Sequence, residues 1–410
     1  MTSATAPRAF AALHNPAYRS FFINTALVMT ADAIEHVISY WILYEKFRSP
    51  TPGGIAILTH WLPFLFLSVY FGALADRYDV RRLMQLGMVC FMAASAGWGI
   101  LFATESLQPW HAVVLLCIHG MAGVLWVPAG QMLIHDIVGK NDLQSAVRLA
   151  STARQLGLLL GPAIGGGAML LMGPTTAILL NVLLYVPLII WLARTPHGAP
   201  KPKSSDIATK RSSDILAALR DVRSHRVVLA MTVLAGGASL FVGNAYQAQM
   251  PQFAADFGHG DGDWHYSLLL VADAAGALTA GLLLESRGLL AAKARSAVIL
   301  AALWCQAMAG FALTTSYVVA IALLVVGGFL NLAFSAMAQT LVQMHAPVEV
   351  RGRIIGLFSM ASLGLRAFSG LTVGVLGSLI GIHWSLAISA LTLLALTIVL
   401  LSLTSRATAP

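Results

Sequence analysis

Twelve apolar runs follow one another along this chain, centred near residues 32, 64, 92, 122, 158, 184, 240, 275, 303, 331, 364 and 393. A helix needs ~20 such residues to cross the hydrocarbon core of a bilayer. Inside that core each backbone N–H and C=O must find its partner within the segment, which leaves helices as the natural spanning element. The runs predict an all-α polytopic membrane protein with twelve transmembrane helices. Composition agrees: 58% of the residues are hydrophobic and only 10% are charged, whereas soluble domains carry roughly 25% charged residues. The opening residues lack an apolar run followed by a small-residue cleavage site, so the first span is expected to be retained. Cys90, Cys117 and Cys305 all fall inside spans and read as packing residues, with no disulfide or metal framework.

Short connections separate the runs, with one exception. Residues 195–226 are long, polar and basic. They divide the chain into an N-terminal six-helix half (1–194), a linker (195–226) whose later part suits an amphipathic helix, and a C-terminal six-helix half (227–410). Two local matches suggest that the halves are related. Gly72 in "GALADRYDVRR" and Gly281 in "GLLLESRGLLAAK" lie 209 residues apart, and Gln131 and Gln339 lie 208 apart. Two pseudo-symmetric six-helix bundles around a midplane site are a known transporter plan.

The positive charges orient this array. With the N-terminus in the cytoplasm, 21 of the 25 Lys and Arg residues fall in cytoplasmic segments. Lys46 and Arg48 fall outside, and Arg154 and Arg366 lie within spans. The 254–265 loop carries Asp256, Asp261 and Asp263 but no Lys or Arg. Both termini are expected in the cytoplasm. The pI near 9.6 then reflects topology and gives no reason to expect nucleic acid.

Two motifs carry a family resemblance. The loop after the second span, "GALADRYDVRR", is similar to the motif Gly-x-Leu-Ala-Asp-Arg-x-Gly-Arg-Arg of the major facilitator superfamily. Gly72, Leu74, Ala75, Asp76, Arg77, Arg81 and Arg82 fit, while Asp79 and Val80 depart from it. Gly72 lets two helices approach closely, and Asp76 is placed to cap a helix N-terminus, that of the eleventh span near Arg353. The run "GLLLGPAIGG" (157–166) matches Gly-x-x-x-Gly-Pro-x-x-Gly-Gly, a fifth-helix motif that in this family marks antiporting exporters. Gly157, Gly161, Gly165 and Gly166 bare a helix face for tight packing, and Pro162 is expected to kink the helix. Residues 53–79 and "RGR" at 351–353 resemble the branch that includes bacterial siderophore and macrolide exporters. The resemblance implies a proton-coupled antiporter in the cell inner membrane. It would act as a monomer, export a siderophore- or drug-like molecule by alternating access and need no cofactor.

The first span, "SFFINTALVMTADAIEHVISYWILY", holds Asp32, Glu35 and His36. At ~100° per residue these fall with Thr25 and Ser39 on one stripe about a third of the circumference wide. A charge facing lipid costs ~2.5–3.5 kcal/mol on insertion scales, so the stripe must face protein or a water-filled cavity. Two uses remain open: static pairing with a buried Arg, or handling of protons and substrate, since two carboxylates one turn apart can share a proton. His119 lies where many proton-coupled exporters of the family carry Arg in an Arg-x-x-Gln-Gly pattern. It either titrates or packs. Arg154 and Asp273, on the fifth and eighth spans, are candidates for a state-dependent ion pair, and Arg366 is a further buried cation. The chain lacks G-x-S-x-G, H-E-x-x-H and phosphate-loop motifs, so no enzyme is expected. The alternatives to organic-molecule export are a divalent-metal exporter using Asp32, Glu35 and His36, joined by His60 and His119, and a non-transporting membrane sensor.

Overall fold

A computed structural model of the chain describes residues 10–47, 51–198, 215–258, 265–286 and 292–406. Arg8, Arg48, Lys201, Lys203, Lys210, Arg211, Arg287, Asp261 and Asp263, which belong to the charge pattern above, lie outside these residues. The described residues are helical throughout, with no strand. The N-terminal elements are α1 (Pro16–Phe47), α2 (Thr51–Arg77), α3 (Val80–Ala103), α4 (Pro109–Val138), α5 (Leu143–Asn181) and α6 (Val186–Arg194). After the linker come α7 (Ile215–Ser224), α8 (Arg226–Phe241), the short α9 (Ala245–Ala248) and α10 (Met250–Asp256), then α11 (His265–Ser286), α12 (Ala294–Leu313) and α13 (Tyr317–His345). The chain ends with α14 (Arg351–Ser359), α15 (Arg366–Ser369), α16 (Leu376–Ile380) and α17 (Ile382–Arg406).

Among the described residues, nine stretches are long and apolar enough to cross a membrane by themselves. The other three spans are α2, the first part of α5 and the α14–α16 segment. Helix α5 carries two spans in one element. Its backbone leaves helical geometry at Gly173 (φ 78°, ψ 160°), a conformation open only to a residue without Cβ. The chain reverses there and runs on through a 3₁₀ turn (Val182–Tyr185) into α6. The helix continues through Pro162, and the non-helical break lies eleven residues later, at Gly173.

The eleventh span also differs from the uninterrupted helix that its hydropathy suggests. Two π-helical segments, Met360–Gly364 and Gly370–Val375, divide it. Such bulges re-aim side chains and cluster at functional sites. The linker's later part forms α7, with Ala218 and Val222 buried, and its Asp221 pairs with Arg353.

Each half contributes most of one apolar core, one around Met84, Met88, Phe91 and Trp126, the other around Trp304, Met308, Phe311 and Phe334, and the first extends across the seam to Ala277, Ala280, Leu332 and Ala336. The halves meet closely at one end, the end that bears Arg77, Arg81, Lys140, Arg351 and Arg353, hereafter the basic end. There α2 and α14 touch backbone to backbone. A Cβ on Gly72 would lie 2.2 Å from the Gly352 carbonyl oxygen, and one on Gly356 would lie 2.3 Å from that of Ser68. Nearby, α5 meets α11: Arg148 donates to the Leu284 carbonyl at 2.7 Å, Ser145 to Glu285, and Gly281 makes room for Thr152. Gln343 on α13 donates to Gln131 on α4 at 3.2 Å.

Candidate functional site

Above this closed end a cavity of about 340 Å³ lies between the halves. Asp32, His60, Trp61, His119 and Arg154 line it from the N-terminal half, and Gln247, Asp273, Trp304 and Arg366 from the C-terminal half. That volume falls within the usual range for a small-molecule site.

The polar stripe of α1 turns into the N-terminal half. His119, on α4, reaches it with both ring nitrogens: Nδ1 lies 2.8 Å from Glu35 Oε1 and Nε2 lies 2.8 Å from Asp32 Oδ1. The His119 and Glu35 side chains are almost fully buried, at 1% and 2% exposure, while that of Asp32 is 22% exposed. The second Glu35 oxygen accepts from the Ser95 hydroxyl. Asn181 donates to the Ala31 carbonyl at 2.9 Å, which ties the sixth span to α1 beside the site. Each nitrogen–carboxylate contact needs one hydrogen. The unit Asp32–His119–Glu35 therefore holds two protons on three groups, as an imidazolium flanked by two carboxylates or its equivalent with one carboxyl protonated. Arg154 lies within electrostatic range of Asp32 and offsets the surplus negative charge.

Two further imidazoles complete the cluster. His36 donates Nδ1–H to the Asp32 carbonyl at 2.7 Å. The ring centres of His36, His60 and His119 form a nearly equilateral triangle: 4.9 Å for His36–His60, 4.8 Å for His36–His119 and 5.0 Å for His60–His119. Potential ligand atoms of the three lie within 4.8 Å of one another. The metal alternative drawn from the sequence centred on Asp32, Glu35 and His36. The structure gathers His36 with His60 and His119, the residues expected to join it, beside Asp32, and places Glu35 behind His119.

Across the cavity Asp273 accepts from the Tyr246 hydroxyl and the Gln247 amide, both at 3.0 Å. Arg366 sits over the Trp61 ring at 5.2 Å, and its Nε and Nη1 have no hydrogen-bond partner among the described residues. Arg154 and Asp273, the candidates for a state-dependent ion pair, are not paired in this conformation. Helices α5 and α11 run antiparallel, with Arg148 at Leu284 and Thr152 at Gly281. That register puts Arg154 opposite the residues around 279, about 9 Å short of Asp273 at 1.5 Å per residue.

The gating motifs have defined neighbours. Asp76 accepts from the backbone N–H groups of Gly352 (2.6 Å) and Arg353 (2.9 Å), which caps the first turn of α14 across the two halves. Asp79, a departure from the family loop, is the N-cap of α3: its carboxylate accepts from the Arg81 N–H at 2.9 Å and pairs with the Arg81 guanidinium at 2.6 Å. Arg81 also donates to the Thr195 carbonyl at 2.7 Å. Burial pushes the Asp79 carboxyl up, but these hydrogen bonds and the Arg81 charge outweigh it and hold the group below its usual range. Arg77 ends α2. On α5, Gly157, Gly161 and Gly165 face Met29, Ala33 and Ile34 of α1, while a Cβ on Gly166 would meet nothing within 4 Å. The glycine face thus packs within its own half, against the helix that carries Asp32 and Glu35.

Two six-helix halves around a central cavity define a transporter of the major facilitator superfamily. A family model described as "Transmembrane secretion effector" matches residues 7–409, and the chain belongs to that family. It is 24% identical over 189 residues to the staphyloferrin A transporter of Staphylococcus aureus, a match that covers 44% of this chain and 48% of the relative. It is 30% identical over 144 residues to the putative multidrug resistance protein MdtD of Klebsiella pneumoniae, 35% of this chain and 27% of the relative. The matched region is thus less than half the length of either. The human organic anion transporter MFSD10 has the same fold, with a TM-score of 0.73 at 15% identity over 94% of this chain and 99% of that one.

Proposed function

We propose that the protein is a proton-coupled antiporter that exports a small organic molecule, siderophore- or drug-like, by alternating access. One observation carries this reading: a proton-holding unit, Asp32–His119–Glu35, stands in the wall of a cavity that the two halves share and close at one end. Its protons lie between His119 of α4 and the two carboxylates of α1, and α1 is the helix against which the α5 glycines pack, so a change of protonation acts where the helices of that half meet. The relatives support an organic substrate: one is named a staphyloferrin A transporter and the other a putative multidrug resistance protein. The charge distribution supports a cytoplasmic basic end and cytoplasmic termini, and the family resemblance suggests residence in the inner membrane as a monomer.

The test is transport in proteoliposomes under an imposed pH gradient, with ethidium as a drug-like probe and desferrioxamine as a siderophore probe. Proton coupling predicts substrate flux and opposing proton flux that both vanish when the gradient is collapsed. Flux of equal rate with and without the gradient contradicts the coupling.

A further inference from the structure

We propose that His36, His60 and His119, with Asp32 as fourth ligand, form a binding site for one divalent transition-metal ion of the Zn²⁺, Co²⁺ or Fe²⁺ class. This goes beyond the transport reading, because it concerns binding by the purified protein whether or not the ion is carried.

The spacing of the rings fits a single ion. Three imidazoles that bind one tetrahedral ion through nitrogens at ~2.1 Å hold their ring centres ~5 Å apart. The three rings already stand 4.8–5.0 Å apart at their centres. Their ligand atoms lie within 4.8 Å of one another, against the ~3.4 Å that nitrogens ~2.1 Å from one tetrahedral ion require, so the site closes by a small inward movement of the rings.

The groups behind the rings support the same site. A metal-binding histidine almost always gives its other N–H to a carboxylate or carbonyl, which fixes tautomer and orientation. His119 has Glu35 at Nδ1, and Glu35 is itself held by Ser95. His36 gives Nδ1–H to the Asp32 carbonyl. In both rings the Nε2 lone pair becomes the ligand atom. His60 Nδ1 is buried without a hydrogen-bond partner among the described residues, a condition that calls for a missing partner.

The ion also has a defined place. His119 Nε2 and Asp32 Oδ1 already share one hydrogen at 2.8 Å. An ion bound by both atoms takes the place of that hydrogen, and one proton leaves to the cavity as the metal–nitrogen bond forms. The aromatic rings of Phe91 and Trp61, each 4.6 Å from an imidazole of the cluster, close the apolar side. Three imidazoles and a carboxylate, without sulfur, suit borderline divalent ions rather than Ca²⁺, Mg²⁺ or Cu⁺.

The experiment is titration of the purified, tag-free protein in detergent with Co²⁺, read by its visible absorption, followed by competition with Zn²⁺. The expected result is one equivalent of Co²⁺ with the intense bands of a four-coordinate ion, displaced by Zn²⁺. His60→Ala lowers the affinity at least ~100-fold. Glu35→Gln, behind the ligands, lowers it ~10–100-fold with unchanged stoichiometry. Thermal unfolding checks that each variant is folded, and His60→Gln replaces His60→Ala if that variant is not. No saturable binding by the wild type, a six-coordinate spectrum, or wild-type affinity in a folded His60 variant would each overturn the site. Loss of pH-driven flux with Co²⁺ binding intact removes the transport reading alone, and the reverse result removes the site alone.

Discussion

His119 and Glu35 are joined across the α1–α4 interface by a 2.8 Å hydrogen bond between two almost fully buried side chains. Hydrogen bonds that involve charged groups contribute ~1.5–3 kcal/mol each, and a buried group left without its partner costs ~1–3 kcal/mol. Glu35→Gln keeps the shape and one acceptor, and Asp32→Asn does the same at the other nitrogen. Both variants should remain folded and lose proton-driven transport by at least ~10-fold. Glu35→Ala, which strands His119 and Ser95 together, should also lower the melting temperature. Proteoliposome flux and thermal unfolding of the three variants check this, and wild-type coupling in Glu35→Gln refutes the role of the unit.

The glycine face of α5 makes a prediction with a built-in control. A Cβ on Gly161 would lie 2.3 Å from the Ala33 Cβ, whereas one on Gly166 has open space around it. Overpacking of this kind costs ~1–3 kcal/mol. Gly161→Ala should destabilise the protein by that amount and impair transport, because Ala33 sits between Asp32 and Glu35. Gly166→Ala should leave stability unchanged or slightly raised, since Gly weakens a helix interior by ~0.5–1 kcal/mol relative to Ala. Equal melting temperatures for the two variants contradict the packing described.

Asp79 gives a pH-dependent prediction. Loss of an N-cap side chain costs ~0.5–2 kcal/mol, so Asp79→Ala should be less stable than wild type at neutral pH. The Asp79 carboxyl titrates lower in the folded protein than in the unfolded chain. A depressed carboxyl contributes stability above its unfolded value and loses it as pH falls through the folded one. The gap in melting temperature between wild type and Asp79→Ala should therefore shrink as the pH drops below the ordinary carboxylate range. A constant gap assigns the effect to packing alone.

Much of this architecture is legible in the residues, and the gaps have physical causes. Hydropathy counts spans, because lipid imposes the same length on each. A helical wheel puts Asp32, Glu35 and His36 on one stripe, because 3.6-residue periodicity is local. The position of Asp76 relative to α14 follows from one motif and its charge. His60 is harder: periodicity says which face of α2 a residue occupies, but not that this face meets α1 and α4. The separation of Arg154 and Asp273 in this conformation follows from the antiparallel register of α5 and α11, which periodicity along one helix does not record. The π segments of the eleventh span and the reversal at Gly173 arise from tertiary packing and backbone freedom that hydropathy does not record.

On the proposed alternating-access cycle, Asp76 acts as a latch at the basic end, where its carboxylate caps α14 across the halves. A carboxylate at a helix N-terminus contributes ~0.3–1 kcal/mol when exposed and up to ~2 kcal/mol when partly buried. Since ~5.5 kcal/mol moves a two-state population from 1:99 to 99:1, loss of this cap produces a measurable redistribution. The decisive measurement is the distance between spin labels at Tyr78 and Val348, both exposed at the basic end, with and without Asp76→Asn. A second pair at Glu105 and Gln252 reports the opposite end. Asp76→Asn should lengthen the Tyr78–Val348 distance and shorten the Glu105–Gln252 distance. Unchanged distributions at both ends, in a variant that still folds, would contradict the latch.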